Sequence, residues 1–292
     1  MMRLLVTGRN GQVAASLIER AGDHAGISVV ALGRPELDLE QPATVEAAVL
    51  GARPDIVVSA AAYTAVDKAE AEPERAYAAN RDGAGAAARA AAKLGVPFIH
   101  LSTDYVYPGD KPAPYVESDA TGPTSIYGKS KLAGEQAVLA AHAGALIFRT
   151  AWVYSPFGAN FVKTMLRIGK DRDIVKVVDD QHGNPTSAID IADAILGVAP
   201  GLVAGKTPGG IYHLCGTGST TWCGFARAIF AESARHGGPA PRVEAIATAE
   251  YPTPARRPAN SRLDTAAFTS RFGFELRPWQ VATAETVARL LA

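Results

Sequence analysis

Tyr127 and Lys131, in the run Tyr127-Gly-Lys-Ser-Lys131, are the pair whose types and spacing best suit chemistry. On a helix, residues four apart share a face, so a phenol and an ammonium would stand one turn apart. A phenol near its ordinary pKa of ~10 exchanges protons poorly at neutral pH, and a neighbouring ammonium is expected to lower that value. Upstream, the apolar run Val96 to Leu101 reads as a buried strand, and Thr103 and Asp104 follow its end. A threonine there can hydrogen-bond a carbonyl oxygen held near the phenol. Open α/β sheets place ligands at that end. The spacing alone also fits an aromatic and a basic residue on a half-exposed helix. The chemical reading therefore depends on a dinucleotide site upstream.

The beginning of the chain supplies one. Arg3 to Thr7 is a short apolar run of the kind expected for a buried parallel strand. Gly8, Gly11 and Ala14 then form a G-x-x-G-x-x-A turn leading into a helical pattern. Gly8 permits the tight turn, Gly11 lets a pyrophosphate approach the backbone, and Ala14 lets helix pack on strand. A second strand, Ser28 to Leu32, ends in Gly33-Arg34, with no acidic residue of the kind that holds adenosine ribose hydroxyls in NAD sites. Arg34 and Arg9 can neutralise a 2′-phosphate, or they are two solvated arginines. NADPH is the expected cofactor, with NADH possible.

Further strand–helix units follow. Asp55 to Ser59 is a third strand, running into the small residues Ala60 to Ala62, and Tyr77 to Gly95 is an Ala-rich helix whose Asn80 needs a polar partner. Pro108 to Ser125 reads as a loop able to border a substrate, and Ala145 to Thr150 as a fifth strand. The repetition predicts an α/β, Rossmann-type, doubly wound parallel sheet. Residues 1–150 are expected to form the nucleotide-binding domain, with later segments returning to it. Residues 151–292 are expected to be mainly a smaller, C-terminal substrate-binding α/β portion. Trp152 and Asn160 follow the fifth strand and are site candidates, although Trp152 equally fits a core aromatic. Ile168 to Val178 reads as strand, Ala188 to Val198 as a helix capped by Thr186 or Ser187, and Gly201 to Gly210 as loop. Arg257, in a Pro-rich run of arginines, suits an anionic ligand or solvent.

Lys+Arg and Asp+Glu are equal at 29 each, with no basic tract, which argues against nucleic acid as the partner. Two cysteines cannot make a disulfide framework, so a reducing cytoplasm is expected. No apolar segment reads as a membrane span or signal peptide, and no histidine cluster reads as a metal site.

On these residues the chain resembles the extended short-chain dehydrogenase/reductases and, among them, the dTDP-4-dehydrorhamnose reductase family. The resemblance rests on Thr7-Gly-Arg-Asn-Gly-Gln12, Ala60 to Glu70, Ser102-Thr-Asp-Tyr-Val106, Tyr127-Gly-Lys-Ser-Lys131, Arg149 to Tyr154, Asp180 to Thr186 and Arg257 to Ser261. It implies hydride transfer from NAD(P)H to the C4 ketone of a dTDP-linked 6-deoxyhexose. Tyr127 would be the proton donor, Lys131 would lower its pKa and hold the nicotinamide ribose, and Thr103 would tune the tyrosine. Thr103 and Asp104 would touch the sugar and Trp152 would pack against it. Gly11, Gln12 and Val13 would contact the pyrophosphate, Asp38 and Leu39 the adenosine end, and Ala62, Tyr63 and Thr64 the middle of the cofactor.

Related 4,6-dehydratases carry Asp-Glu after the catalytic threonine; here Tyr105 follows Asp104. Some members dimerise through magnesium held by glutamates, where this chain has Ser16, Ile189 and the apolar end Leu290-Leu-Ala292. No such metal site, and a monomer or weak homodimer, are therefore expected. Two alternatives share the fold: a reductase of another nucleotide-linked 4-keto-deoxysugar, and a non-catalytic regulatory subunit like the β subunit of methionine adenosyltransferase.

Overall fold

Short apolar strands alternating with helices build the parallel sheet that their pattern requires. In the computed structural model, which describes residues 1–292, the first three strands are β1 (Met2–Thr7), β2 (Ile27–Leu32) and β3 (Ile56–Ser59). The others in the sheet are β4 (Phe98–Thr103), β5 (Leu146–Thr150) and β6 (Gly210–His213). All neighbours are parallel, in the order β6-β5-β4-β3-β1-β2. The direction of winding therefore reverses between β1 and β3. Crossover helices leave that point on opposite faces, opening a crevice at the carboxyl ends of β1 and β3. Strands β3, β4 and β5 are buried along their whole length, as a sheet covered on both faces demands.

Eight longer helices cover the sheet and the second lobe. They are α1 (Gln12–Arg20), α2 (Pro42–Ala52), α3 (Ala84–Leu94), α4 (Ile126–Ala141), α5 (Phe161–Ile168), α6 (Ala188–Val203), α7 (Trp222–Arg235) and α8 (Trp279–Leu291). One sheet face packs Leu4, Val6, Ile99 and Phe148 against α1 and α6. The other packs Leu5, Val57 and Ile147 against α2, α3 and α4. The smaller lobe pairs Ile174–Val178 with Arg242–Ile246 and closes over Phe225, Phe230 and Trp279.

Several elements differ from their sequence pattern. Ile168 ends helix α5 and the following strand starts at Ile174, because Val162, Met165 and Leu166 give Phe161–Ile168 a buried helical face. Helix α6 runs past Val198 and through Pro200 to Val203, since its apolar stripe continues to the buried Leu202. The strand Arg242–Ile246 and the helix Ala266–Phe272 add elements where no periodicity was read. Helix α6, strand β6 and Phe268 belong with the main sheet, so the second half of the chain is interleaved between the lobes. Thr103 is the last residue of β4, paired with Thr150, rather than lying past it.

Ahead of α3, Ala78–Gly83 forms a π-helical turn, a feature that often accompanies functional sites. There the Asn80 carbonyl lies so close to α4 that a Cβ on Gly134 would stand 2.1 Å from it. Gly134→Ala therefore overpacks the seat of α4 and should cost about 1–3 kcal/mol. Urea unfolding measures it; an unchanged midpoint would show that the contact yields freely.

Candidate active site

The crevice at the winding reversal becomes a groove because small residues line both its walls. Gly8 has φ +93°, and a Cβ on it would stand 3.0 Å from the Ala61 Cβ across the gap. At Gly11 a Cβ would meet nothing within 4 Å, so the backbone that opens α1 faces clear space. Two connected cavities follow, of about 440 and 450 Å³, each in the usual ~300–1,000 Å³ range of small-molecule sites. The first is lined by Arg9, Arg34, Asp38, Leu39, Tyr63 and Arg75. The second runs past Gly11, Gln12 and Val13 to Thr150, Tyr127 and Lys131. Both share Gly8, Ala62 and Thr64. Tyr63 is held by Asn80, whose Oδ1 accepts from the Tyr63 amide at 2.7 Å and whose Nδ2 donates to its carbonyl at 3.1 Å.

At the inner end, α4 presents Tyr127 and Lys131 one turn apart. Ser125 caps the helix, its Oγ accepting from the Gly128 amide at 3.1 Å, and Glu70 accepts from the Ile126 amide at 2.8 Å. Gly128 is needed for close approach, since a Cβ there would lie 2.3 Å from the Tyr105 carbonyl. Tyr127 is only 9% exposed and meets the edge of Tyr105 at 5.4 Å. Burial pushes its phenol well above the usual tyrosine range; the neighbouring Thr103 hydroxyl opposes that rise, and Asp104 and Tyr105 add to it. Lys131 Nζ donates to the Leu101 carbonyl at 2.6 Å. Burial lowers the lysine to about 8, with Glu135 opposing. The expectation that Lys131 depresses the Tyr127 pKa is thus corrected. Its ammonium is turned to the Leu101 carbonyl, and it is not among the groups that shift the phenol.

Thr103 Oγ1 donates to Asp104 Oδ1 at 2.8 Å and accepts from the Tyr105 amide at 3.2 Å. Asp104 Oδ2 and Thr150 Oγ1 are buried with no protein partner. Burial raises Asp104 to about 6, opposed by the hydrogen bond from Thr103. A cradle of small residues, an uncovered backbone at Gly11 and partnerless buried oxygens together fit a dinucleotide whose far end meets a polar substrate.

The match to a family model described as "RmlD substrate binding domain" extends over residues 2–292. The chain belongs to the dTDP-4-dehydrorhamnose reductase family. It is 50% identical to the dTDP-4-dehydrorhamnose reductase of Sinorhizobium fredii, over 99% of this chain and 98% of that one. With the Escherichia coli K12 enzyme of the same name it shares 43% identity, over 96% and 95%. Among solved structures, it is similar to the Bacillus anthracis dTDP-4-dehydrorhamnose reductase in complex with NADP. That similarity has a TM-score of 0.91 at 34% identity, covering 99% of this chain and 100% of that one. The Clostridium acetobutylicum reductase gives a TM-score of 0.91 at 35% identity with complete coverage of both chains.

Other residues of this family member stand differently from their sequence reading. Asn160 is spent on structure: its Oδ1 caps α5 at Lys163, and its Nδ2 donates to Gln12 Oε1 at 3.0 Å and the Ser155 carbonyl at 2.8 Å. Both ends of the amide are used, so it braces Gln12 against the second lobe. Arg257 pairs with Asp67 at 2.6 Å and donates to the Tyr105 hydroxyl at 3.1 Å, which places it behind Tyr105. Trp152 has φ +47° and stacks on Trp222 at 3.6 Å, in space that the absent side chain of Gly183 leaves. Arg34 lines the outer cavity but is already paired with Asp38 and Glu40, and Arg9 with Glu36. Sequence reading missed Arg75, which reaches that cavity from a short helix and pairs with Glu40; nothing in its local pattern marks it.

Asp104 yields a stability test. Its carboxyl binds a proton more tightly folded than unfolded, so its contribution to stability falls as pH rises from the ordinary 3.8 to about 6 and stays low above that. Asp104→Asn removes this cost. The variant should gain on the order of 3 kcal/mol over the parent between acid and neutral pH. Denaturation across that range measures the gap, and a gap that does not vary with pH would refute the buried-carboxylate assignment.

Proposed function

We infer that this chain reduces the C4 ketone of dTDP-4-dehydro-6-deoxy-L-mannose to give dTDP-L-rhamnose, with NADPH as the reductant. The observation that carries this reading is the full-length family membership joined to a continuous groove that ends on Tyr127 and Lys131. The Gly8–Val13 turn would receive the pyrophosphate, at the amino end of α1 where backbone amides favour an anion. Asp38, Leu39 and Arg34 would meet the adenosine end, Ala62 to Thr64 the middle, and Lys131 the nicotinamide ribose. When bound, NADPH supplies the hydride.

The remaining chemistry is proton transfer. The Tyr127 phenol is protonated at neutral pH, the state a donor needs, and burial raises its pKa further. An alkoxide formed at C4 is a far stronger base than phenolate, so the proton moves from Tyr127 to the product oxygen. Thr103 would turn its one hydroxyl proton from Asp104 Oδ1 to that oxygen, and Asp104 Oδ2 would accept from a sugar hydroxyl. Arg257 acts on the sugar site through Tyr105. The closed stack of Trp152 on Trp222 offers an aromatic edge at the lobe boundary.

We place the reaction in the cytoplasm, which suits the two free, buried thiols of Cys215 and Cys223. A monomer or weak homodimer is the assembly we propose, on the absence of the bridging glutamates. No helix is long and apolar enough to cross a membrane.

Tyr127→Phe should retain NADPH binding within about threefold and lose roughly 10²–10⁴ in turnover, the usual worth of a general acid. The assay follows NADPH oxidation with the dTDP-linked 4-ketosugar, alongside cofactor titration by fluorescence. Turnover like the parent's would remove Tyr127 from the mechanism.

A further inference from the structure

Three successive residues of β4 meet three residues on one face of α4. Leu101 accepts from Lys131 Nζ through its carbonyl at 2.6 Å. Ser102 Oγ donates to Glu135 Oε1 at 2.5 Å. The Thr103 hydroxyl lies beside Tyr127. Glu135 is one turn beyond Lys131 and two beyond Tyr127, so all three share the buried side of the helix. Its carboxylate takes a two-pronged pair from Arg149 on β5, Nε to Oε1 at 2.9 Å and Nη2 to Oε2 at 2.6 Å, with the two side chains 3% and 4% exposed. Arg149 is itself aimed by Tyr107, whose hydroxyl accepts from Nη1 at 2.7 Å.

We propose that Glu135 is a positioning residue of the reduction, setting the end of β4 against α4 and serving as the buried counter-charge of Lys131. The proposal rests on the reading that Tyr127 and Lys131 act in the reaction. Glu135 does not line the groove and touches neither substrate nor cofactor space. It acts through two neighbours: Ser102, which fixes the strand register that brings Thr103 to Tyr127, and Lys131, whose charge it supports. The other titratable groups around the Tyr127–Lys131 pair are His100 on β4, Asp104 after it, Tyr105 and Arg149. His100 is held neutral by burial and by the nearby Lys131 charge. Asp104 and Tyr105 act on the phenol, and Arg149 is committed to Glu135. Glu135 is thus the acidic group that opposes deprotonation of Lys131.

The sign of the effect follows. Without the Glu135 charge, and with Arg149 left unopposed, Lys131 loses its proton at lower pH. The alkaline limb of kcat should therefore move toward acid pH. In the full-length enzyme, Glu135→Gln keeps the shape and one acceptor for Ser102 while removing the charge. The expected result is at least a tenfold loss of kcat at pH 8, an alkaline limb about one pH unit lower, and an NADPH Kd within threefold of the parent. Glu135→Asp, which keeps the charge, should restore the position of the limb though not the full rate. Ser102→Ala leaves the ion pair in place and tests the strand contact; because Ser102 also lines the groove, the NADPH Kd is read alongside and should stay within threefold while kcat falls several-fold with the limb unmoved. It also serves if Glu135→Gln does not fold.

A folded Glu135→Gln with the parent's limb and rate would overturn the proposal, as would a Ser102→Ala enzyme with undiminished kcat if the charge variant does not fold. Lys131→Met separates the two levels of inference. If it is active, the reading of the catalytic pair fails; if it is inactive while Glu135→Gln resembles the parent, only the role of Glu135 fails.

Discussion

The site depends on holding helix α4 against the carboxyl ends of β4 and β5, where Glu135 accepts from Ser102 on β4 and forms a buried ion pair with Arg149 on β5. Taking two charges out of water costs several kcal/mol per ion unless geometry and further hydrogen bonds offset it. Here the offset is complete around the carboxylate: two bonds from Arg149 and one from Ser102. The network continues outward. His213 Nδ1 lies 2.9 Å from the Asp264 carbonyl, so it carries the proton and leaves Nε2 to accept from the Tyr107 hydroxyl at 2.7 Å. One hydrogen-bonded chain thereby joins α4 to β4, β5 and β6. Breaking it leaves an unpaired charge in the core, which is why the register of Thr103, Tyr127 and Lys131 is hard to lose.

Three of the five buried polar atoms that the protein leaves unsatisfied sit on or beside β4 and β5. Among the few buried polar atoms without partners are Asp104 Oδ2, His100 Nε2 and Thr150 Oγ1, all at or beside the inner end of the groove. Two further partnerless atoms, Ser233 Oγ and Trp279 Nε1, lie in the smaller lobe, whereas Asn80 satisfies both backbone groups of Tyr63 and also Ser130. Partnerless polar atoms destabilise a fold, and of these only Thr150 Oγ1 belongs to a residue lining the groove itself. Burial in low dielectric surroundings raises the Tyr127 pKa and lowers that of Lys131.

The two lobes meet across the Gly-rich turn. Gln12 leaves that turn and accepts from Ser155 and Asn160 while donating to the Val153 carbonyl at 3.3 Å. The same segment carries Trp152 in a left-handed conformation, which is strained for a bulky residue. Stacking on Trp222 stabilises it, and Gly183 makes the space. The Gly-rich turn and the second lobe are therefore tied together by side chains far apart in the chain.

Local signals are strong where chemistry is written in short spacings. The G-x-x-G-x-x-A turn after an apolar strand, the Tyr127–Lys131 interval and Thr103 at a strand end were legible because each depends on neighbours in sequence. The six-stranded parallel sheet followed from the alternation of elements. Three-dimensional packing decided the rest. Asn160 and Arg257 are polar residues in suggestive loops, yet distant partners, Gln12 for one and Asp67 for the other, commit their side chains. Arg75 enters the groove because a short helix happens to face it. The helix Phe161–Ile168 and the passage of α6 through Pro200 are set by tertiary burial, which outweighs local propensity. Lys131 belongs to the same group: spacing placed it beside Tyr127, but only the folded chain turns its ammonium to the Leu101 carbonyl and puts Glu135 behind it. Residue types and intervals determined which groups can react; desolvation and long-range pairing decided their charge, aim and partners.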